Sequence, residues 1–185
     1  DSRFYEHSGV DFKGVLRAAL ANLRAARSQG GSTITMQVAK NFYLPTEKTF
    51  TRKIYEVLLT WKIEKLLSKE QILELYMNQI YLGQRAYGFA AASEIYFGKP
   101  VNELSVAEAA MLAGLPVAPS AYNPIVNPKR ATVRQQFILG RMLEEGFISE
   151  KDHRQAIASP LVVVRTPRQA EVGPFFAEEV RKHLE

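Results

Sequence analysis

Apolar residues recur at helical spacing along most of this chain, and recognisable helix ends separate one segment from the next. Behind Asp11, a favourable N-cap, Phe12, Leu16 and Leu20 fall on one side of a helix. Further helices are predicted from Ser32 or Thr33 to about Phe42, behind Thr51, from Ser68 to about Gly83, from Tyr87 to Phe97, from Ser105 to Pro116, from Asn127 to Glu145 and from Ser149 to Ala158. The segment from Leu161 to Arg165, β-branched and bounded by prolines, favours a strand. The pattern therefore predicts an all-α fold.

Large side chains within these segments are interpreted as packing residues. Ile54, Leu58 and Trp61 share one face of the helix behind Thr51, and we expect this face to point inward. We likewise expect Tyr76 and Tyr81 to pack in a core, as Trp61 does, because their helical spacing does not suggest a stacking platform for nucleic acid bases.

The composition is that of a folded globular domain, since 46% of the 185 residues are hydrophobic and 23% are charged. No apolar run approaches the roughly 18 residues that a membrane-spanning helix needs. The chain has no cysteine, which excludes a thiol nucleophile, a disulfide framework and a cysteine zinc site. The net charge of +5 favours an anionic partner, but it does not distinguish nucleic acid, a phosphate-bearing ligand and an anionic membrane.

Two glycines, Gly30 and Gly31, precede the hydroxyl residues Ser32 and Thr33 at a predicted helix start. Free backbone N–H groups and the helix dipole at such an end favour an anion. A Walker phosphate loop is excluded, because no Gly-Lys-Ser/Thr follows at the required spacing. An ordinary glycine-rich turn with a capping hydroxyl fits the same residues, so this segment alone leaves both interpretations open.

Basic residues concentrate in the part of the chain from position 40 to position 69. Four of them, which we call the basic cluster, flank the connection between two predicted helices: Lys40, Lys48, Arg52 and Lys53. Bases at such a place can converge on one phosphate or pyrophosphate. The other three fit a solvated helix face: Lys62, Lys65 and Lys69.

Two further titratable residues are candidates for a site, Glu56 and His7. Glu56 follows Arg52 by four positions and Lys53 by three, so an intrahelical ion pair is its simplest interpretation. A carboxylate among bases stays ionised at neutral pH, which suits electrostatic or hydrogen-bonding work better than proton donation. His7 has no metal-ligand partner nearby in the sequence and fits a structural residue better than a base.

Five short motifs stand in order along the chain. They are Asp1-Ser2-Arg3-Phe4-Tyr5-Glu6-His7-Ser8-Gly9, the segment 30–37, Arg52-Lys53 to Glu56, the segment 69–83, and the segment 134–139. Each motif is weak alone, but the ordered set is specific and covers nearly the whole chain. It resembles the peptidoglycan glycosyltransferases, the family that polymerises lipid II and forms the N-terminal catalytic module of class A penicillin-binding proteins. Met36 departs from the Gln that is usual in this family.

The resemblance implies a role for each candidate residue. A Glu directly before Asp1 would be the general base for the acceptor hydroxyl, so we expect a chain that starts at Asp1 to be inactive. The basic cluster would hold the pyrophosphate of the donor, and Glu56 would act in catalysis by orienting these bases or the acceptor. The residues implied to hydrogen-bond sugar or phosphate are Ser32, Thr33, Gln37 and Asn41. No cofactor and no metal ligands are implied, with a divalent cation left open.

The same resemblance implies a lysozyme-like, all-α helical lobe with a smaller apolar lobe that faces the membrane. Our candidate for the smaller lobe is the segment 10–27, whose alternative is a plain amphipathic core helix. Residues 1–165 would form the glycosyltransferase domain, truncated at its N-terminus, and residues 166–185 would begin a linker toward a transpeptidase domain that this chain lacks.

Partners and location follow from the resemblance as well. The implied partners are lipid II, a lipid-linked glycan chain, the bacterial membrane surface and phosphoglycolipid inhibitors such as moenomycin, and nucleic acid is not among them. The implied location is the extracytoplasmic face of the inner or plasma membrane, with the anchor outside this chain.

Two other functions compete with this interpretation. A lysozyme-like hydrolase would cleave the glycan. Its leaving group is neutral, so the positive charges of the basic cluster would have no negative charge to stabilise. A basic helical nucleic-acid-binding domain would carry its charge along one recognition helix, whereas these bases gather at helix ends.

Overall fold

The computed structural model describes residues 1, 3–24, 30–43 and 50–164, and for Leu23, Arg24, Tyr43 and Phe50 only the backbone. The α-helices of these ranges are α1 (Phe12–Arg24), α2 (Ile34–Tyr43), α3 (Phe50–Leu66), α4 (Lys69–Gln79), α5 (Phe89–Phe97), α6 (Val106–Gly114), α7 (Pro128–Glu144) and α8 (Glu150–Ala158). Short 3-10 helices lie at Val101–Glu103 and Leu115–Val117. The described ranges contain no strand, and the all-α prediction is confirmed there. Lys48, Arg165 and the predicted linker 166–185 lie outside the described residues.

Helix ends follow the capping patterns of the sequence. The predicted helix starts at Ser68 and Ser105 are confirmed, and each forms a capping box, in which the serine side chain accepts from the backbone N–H of the third residue of α4 or α6. A third box, at Ser149, starts α8, and Pro128 occupies the first turn of α7. Gly98 ends α5 in the left-handed conformation, with φ 68°. These ends are local features, and the sequence predicted most of them.

Three local predictions are wrong. The helix that follows Ser68 ends at Gln79 and not near Gly83, since Ile80 is already extended. The segment 161–164 is not a strand, because no neighbouring strand exists in the described ranges to pair with it. Its Val164 N–H instead donates to the Tyr96 carbonyl oxygen at 2.8 Å, at the end of α5. Thr51 does not precede α3 as a cap but lies inside its first turn, since the helix already includes Phe50.

The chain divides into two compact units, Asp1–Ile80 and Tyr81–Glu185. In the first unit, α2 packs against both α3 and α4. Its core includes Met36 and Ala39 of α2, Ile63 of α3, and Ile72 and Tyr76 of α4. The predicted packing role of Tyr76 is therefore confirmed.

The second unit is built around α6, which packs against α5, α7 and α8. Leu112, Leu115 and Leu139 are fully buried in it. The Tyr96 hydroxyl is buried too and donates to the Leu82 carbonyl oxygen at 2.8 Å. Burial raises the pKa of Tyr96 to about 12, so this hydroxyl stays protonated.

The apolar faces of α1 and α3 are exposed, contrary to the predicted inward face of α3. Phe12 and Leu16 of α1 are 72% and 63% exposed, and no other described helix packs against α1. On α3, Leu58 is 52% and Trp61 44% exposed, while Ile54 is exposed as well. Tyr81, at the start of the second unit, is also exposed, so the packing roles predicted for Trp61 and Tyr81 are wrong. None of the helices in the described ranges has the length and apolarity to cross a membrane.

Candidate active site

Hydrogen bonds connect the first residues of the chain to the start of α2. Asp1 accepts a hydrogen bond from the Ile34 backbone N–H at 2.9 Å through Oδ2. Its Oδ1 lies 2.8 Å from His7 Nε2. The Gly9 N–H donates to His7 Nδ1 at 3.1 Å, so a neutral ring carries its proton on Nε2 and donates it to Asp1. One carboxylate thus joins the first motif to the helix of the second.

Charged neighbours and burial define the state of His7. Burial lowers the pKa of His7 below its ordinary value, and the positive charge of Lys69 lowers it further. Asp11 and Glu64 oppose this effect but do not reverse it. The ring is therefore neutral at pH 7, which agrees with the structural role that the sequence favoured.

Asp11 caps α1, as predicted. Its side chain accepts from the Gly14 N–H at 2.9 Å and pairs with the Arg3 guanidinium. The hydrogen bond from Gly14, followed by the charge of Arg3, holds the pKa of the Asp11 carboxyl below its ordinary value. The pair ties the first motif to the start of α1.

Thr33 caps α2 and is buried. Its hydroxyl donates to the Gly9 carbonyl oxygen at 2.5 Å and accepts from the Met36 N–H at 3.2 Å. The predicted cap is confirmed, and the Thr33 hydroxyl both donates to and accepts from backbone groups of the protein. Ser32, by contrast, is exposed beside the same helix start.

Glu56 is a buried carboxylate, 3% exposed, on the second turn of α3. Lys53 Nζ donates to Glu56 Oε1 at 2.5 Å and to Ser32 Oγ at 3.3 Å. The intrahelical ion pair expected from the spacing is present, and the same lysine connects it to the glycine-rich segment. Ser32, Lys53 and Glu56 therefore form one hydrogen-bonded group, which combines residues of the second and third motifs.

The remaining predicted site residues lie near the ends of α2 and α3. Arg52 is half-buried in the first turn of α3. Gln37 is half-buried on α2, while Lys40 and Asn41 are exposed in its last turn. Lys48, the fourth base of the cluster, lies outside the described residues. Within those residues no group of three or more His, Asp or Glu side chains could hold a metal ion.

Four polar residues that the structure buries or pairs in the first unit were not among the predicted site residues. Thr35 and Thr60 are fully buried, and Glu64 and Lys69 pair at 2.8 Å. The interpretation of Lys69 as a solvated residue is wrong, although Lys62 and Lys65 are exposed as expected. The sequence contains a pattern that could have indicated this face of α3. Polar residues recur there every four positions, at Glu56, Thr60 and Glu64, and the structure buries this polar stripe.

The fifth motif lies on α7 in the second unit. The Arg134 guanidinium lies over the Phe137 ring, 4.9 Å from its centroid, and 5.8 Å from the centroid of Tyr122. These are cation–π contacts that fix the side chain against aromatic surface.

Comparison with known proteins gives consistent matches. Residues 1–143 match the family described as Transglycosylase. Penicillin-binding protein 1A of Neisseria gonorrhoeae is 60% identical over 186 residues, which cover 100% of this chain and 23% of that protein. A Cupriavidus necator protein named as a transglycosylase is 62% identical over 161 residues, covering 87% of this chain and 70% of that protein.

A solved structure supports the same relationship. The crystal structure of penicillin-binding protein 1A from Haemophilus influenzae matches with a TM-score of 0.53 and 35% identity, over 82% of this chain and 19% of that chain. The predicted fold class, all-α and lysozyme-like, is thereby confirmed. The chain spans 23% of the length of the penicillin-binding relatives that it matches.

Proposed function

Because this chain belongs to the transglycosylase family, we propose that it is a peptidoglycan glycosyltransferase. It joins lipid II to a lipid-linked glycan chain, forms a β-1,4 bond with inversion at the donor anomeric carbon, and releases polyprenyl pyrophosphate. The observation that carries this proposal is the hydrogen-bonded group of Ser32, Lys53 and buried Glu56 at the glycine-rich start of α2. It combines a cation, a hydroxyl and a fixed carboxylate where a helix N-terminus favours an anion.

The acceptor hydroxyl needs a base to take its proton as it attacks the anomeric carbon. The family resemblance assigns this task to a Glu directly before Asp1. Consecutive Cα atoms are about 3.8 Å apart, and Asp1 is bonded to the Ile34 N–H at the start of α2. A residue before Asp1 is therefore held near the helix end that carries Ser32.

The departing pyrophosphate needs positive charge, which the basic cluster supplies. The ammonium group of Lys53 donates a hydrogen bond to Ser32. The other bases of the cluster are Lys40, Lys48 and Arg52. Fixed cations stabilise the charge that develops on the leaving group, and an ionic leaving group needs no protein acid. Glu56 orients Lys53 through their ion pair, which is its proposed part in catalysis.

Sugar and phosphate oxygens are bound by the polar residues of the second motif. Ser32, Gln37 and Asn41 are exposed or half-buried on or beside α2. Thr33 contributes by holding the helix start, because its hydroxyl already bonds Gly9 and Met36.

The exposed apolar faces of α1 and α3 support docking on a lipid surface. Phe12, Leu16 and Leu20 form a stripe on α1, with Lys13 and Arg17 beside it. A stripe flanked by cations is typical of helices that lie in an anionic membrane interface. The surface is that of the bacterial membrane on its extracytoplasmic face, where lipid II is the substrate and phosphoglycolipids such as moenomycin are expected inhibitors.

A binding measurement tests the pyrophosphate site. Arg52→Ala should weaken the binding of a lipid-pyrophosphate analogue at least tenfold, since hydrogen bonds to charged groups contribute about 1.5 to 3 kcal/mol each. Lys62→Ala, on the exposed side of the same helix, removes an equal charge and should leave affinity unchanged. Equal affinity of both variants and wild type contradicts the site. Tighter binding of DNA than of the lipid-pyrophosphate analogue contradicts the proposed function.

A second measurement tests membrane docking. Replacing Phe12 and Leu16 by Ser should reduce co-sedimentation with anionic liposomes while circular dichroism shows unchanged helix content. Phe147→Ser, which alters an exposed aromatic residue of the second unit, is the matched control. If the double variant binds liposomes as well as the control does, the α1 face is not the membrane surface.

A further inference from the structure

A buried polar network joins four segments of the first unit. Glu64 of α3 accepts from the Thr35 hydroxyl at 2.5 Å and from Lys69 Nζ at 2.8 Å, both through Oε1. Lys69 Nζ also donates to the His7 carbonyl oxygen at 2.6 Å. The network therefore connects α2, α3 and α4 to the segment at the beginning of the chain.

The members of this network are well enclosed. Thr35 is fully buried, and the side chains of Glu64 and Lys69 are 9% and 18% exposed. The ammonium of Lys69 lies 4.6 Å from the centroid of the Phe4 ring, so an aromatic face accompanies its two hydrogen bonds. A pair this enclosed loses hydration, and an apolar pair of similar volume is often as stable. Stability alone therefore gives no reason for a charged pair at this place.

His7 links the network to the proposed site. Lys69 holds its carbonyl oxygen, while its ring is held between Asp1 and the Gly9 N–H. Asp1 in turn bonds the Ile34 N–H at the start of α2. Lys69 is thus connected through one residue to Asp1, which neighbours the position of the proposed base.

We propose that Glu64 and Lys69 are positioning residues of the glycosyl transfer. They fix the His7 carbonyl, and through the His7 ring they fix Asp1 and the base that precedes it. This inference rests on the proposed function. Misplacing a reacting group by about 1 Å can cost about a hundredfold in rate, so the loss should appear in kcat and leave KM nearly unchanged.

The test uses lipid II polymerisation by the chain extended with a Glu before Asp1. Lys69→Met should lower kcat about tenfold to a hundredfold, with KM within about twofold of wild type. Lys69→Arg keeps the charge and the donors, so it should recover a large part of kcat. Lys65→Met removes an exposed lysine near the same segment and should match wild type.

Each outcome decides between the alternatives. If the wild-type chain polymerises lipid II and folded Lys69→Met has an unchanged kcat, the positioning role is overturned and the proposed function stands. A loss that follows the unfolded fraction in thermal melts, with no recovery in Lys69→Arg, assigns the pair to stability and also overturns it. If Lys69→Met does not fold, the isosteric Glu64→Gln decides, because normal kcat in that variant overturns the proposal. Absence of wild-type turnover contradicts the proposed function, and the inference falls with it.

Discussion

Gly9 lies where the first segment of the chain crosses α3 in close contact. Its φ of +89° falls in a region that side chains rarely adopt. A Cβ added there would lie 2.6 Å from Thr60 Cγ2 and 3.0 Å from Glu64 Cγ. Gly9→Ala therefore combines backbone strain with a steric overlap.

The cost of Gly9→Ala can be worked from these two effects. A left-handed conformation costs a residue with a Cβ about 1 to 2 kcal/mol, and an overpacked methyl adds about 1 to 3 kcal/mol. The free energy of unfolding should thus fall by about 2 to 5 kcal/mol. For a chain of this size, each kcal/mol lowers Tm by about 2 to 4 °C, so Tm should fall by roughly 4 to 20 °C.

Urea denaturation followed by circular dichroism measures this loss, and a second substitution separates its parts. Thr60→Ser removes the overlapping methyl and keeps the hydroxyl that donates to the Glu56 carbonyl oxygen at 2.7 Å. The double variant should recover most of the steric part and none of the strain. Gly140→Ala is the control, since a Cβ there meets nothing within 4 Å and should stabilise α7 by roughly 0.5 to 1 kcal/mol.

The reasoning is refuted by a Gly9→Ala loss below about 1 kcal/mol, which is less than the strain alone should cost. It is also refuted if Thr60→Ser leaves the loss unchanged in the double variant. The first result would mean that Gly9 does not hold its positive φ, and the second that the segment does not approach α3 as closely as the structure shows.

Three further predictions concern pH, catalysis and capping. The pKa of His7 lies below its ordinary 6.5, so the unfolded chain binds this proton more readily than the folded chain does. The free energy of unfolding, measured by urea denaturation, should therefore fall as pH is lowered through about 6.5. It should fall less steeply in His7→Gln, which lacks this group. Adding a Glu before Asp1 should raise glycan formation from lipid II by about 100- to 10,000-fold over the chain that starts at Asp1, and changing that Glu to Gln should remove the gain. Ser68→Ala should cost about 1 kcal/mol in thermal unfolding, because it removes the bond to the Gln71 N–H, and an unchanged Tm would contradict the capping box.

Most helix ends could be predicted from the sequence, because the interactions that form them span three or four residues. Ser68 bonds Gln71 and Ser105 bonds Glu108 wherever the helices pack. The Lys53–Glu56 pair has the same local origin. The motif order also identified the family before any packing was known.

Tertiary structure decided which helix faces are buried and which polar groups meet. Periodicity places Trp61 and Leu58 on one face of α3, but it does not say whether core or solvent lies on that side, and here the polar stripe with Glu56 is buried. Lys69 meets the His7 carbonyl across 62 positions, and Thr35 meets Glu64 across 29. Contacts between such distant positions depend on how the helices pack against one another, and no local spacing in the sequence encodes that packing.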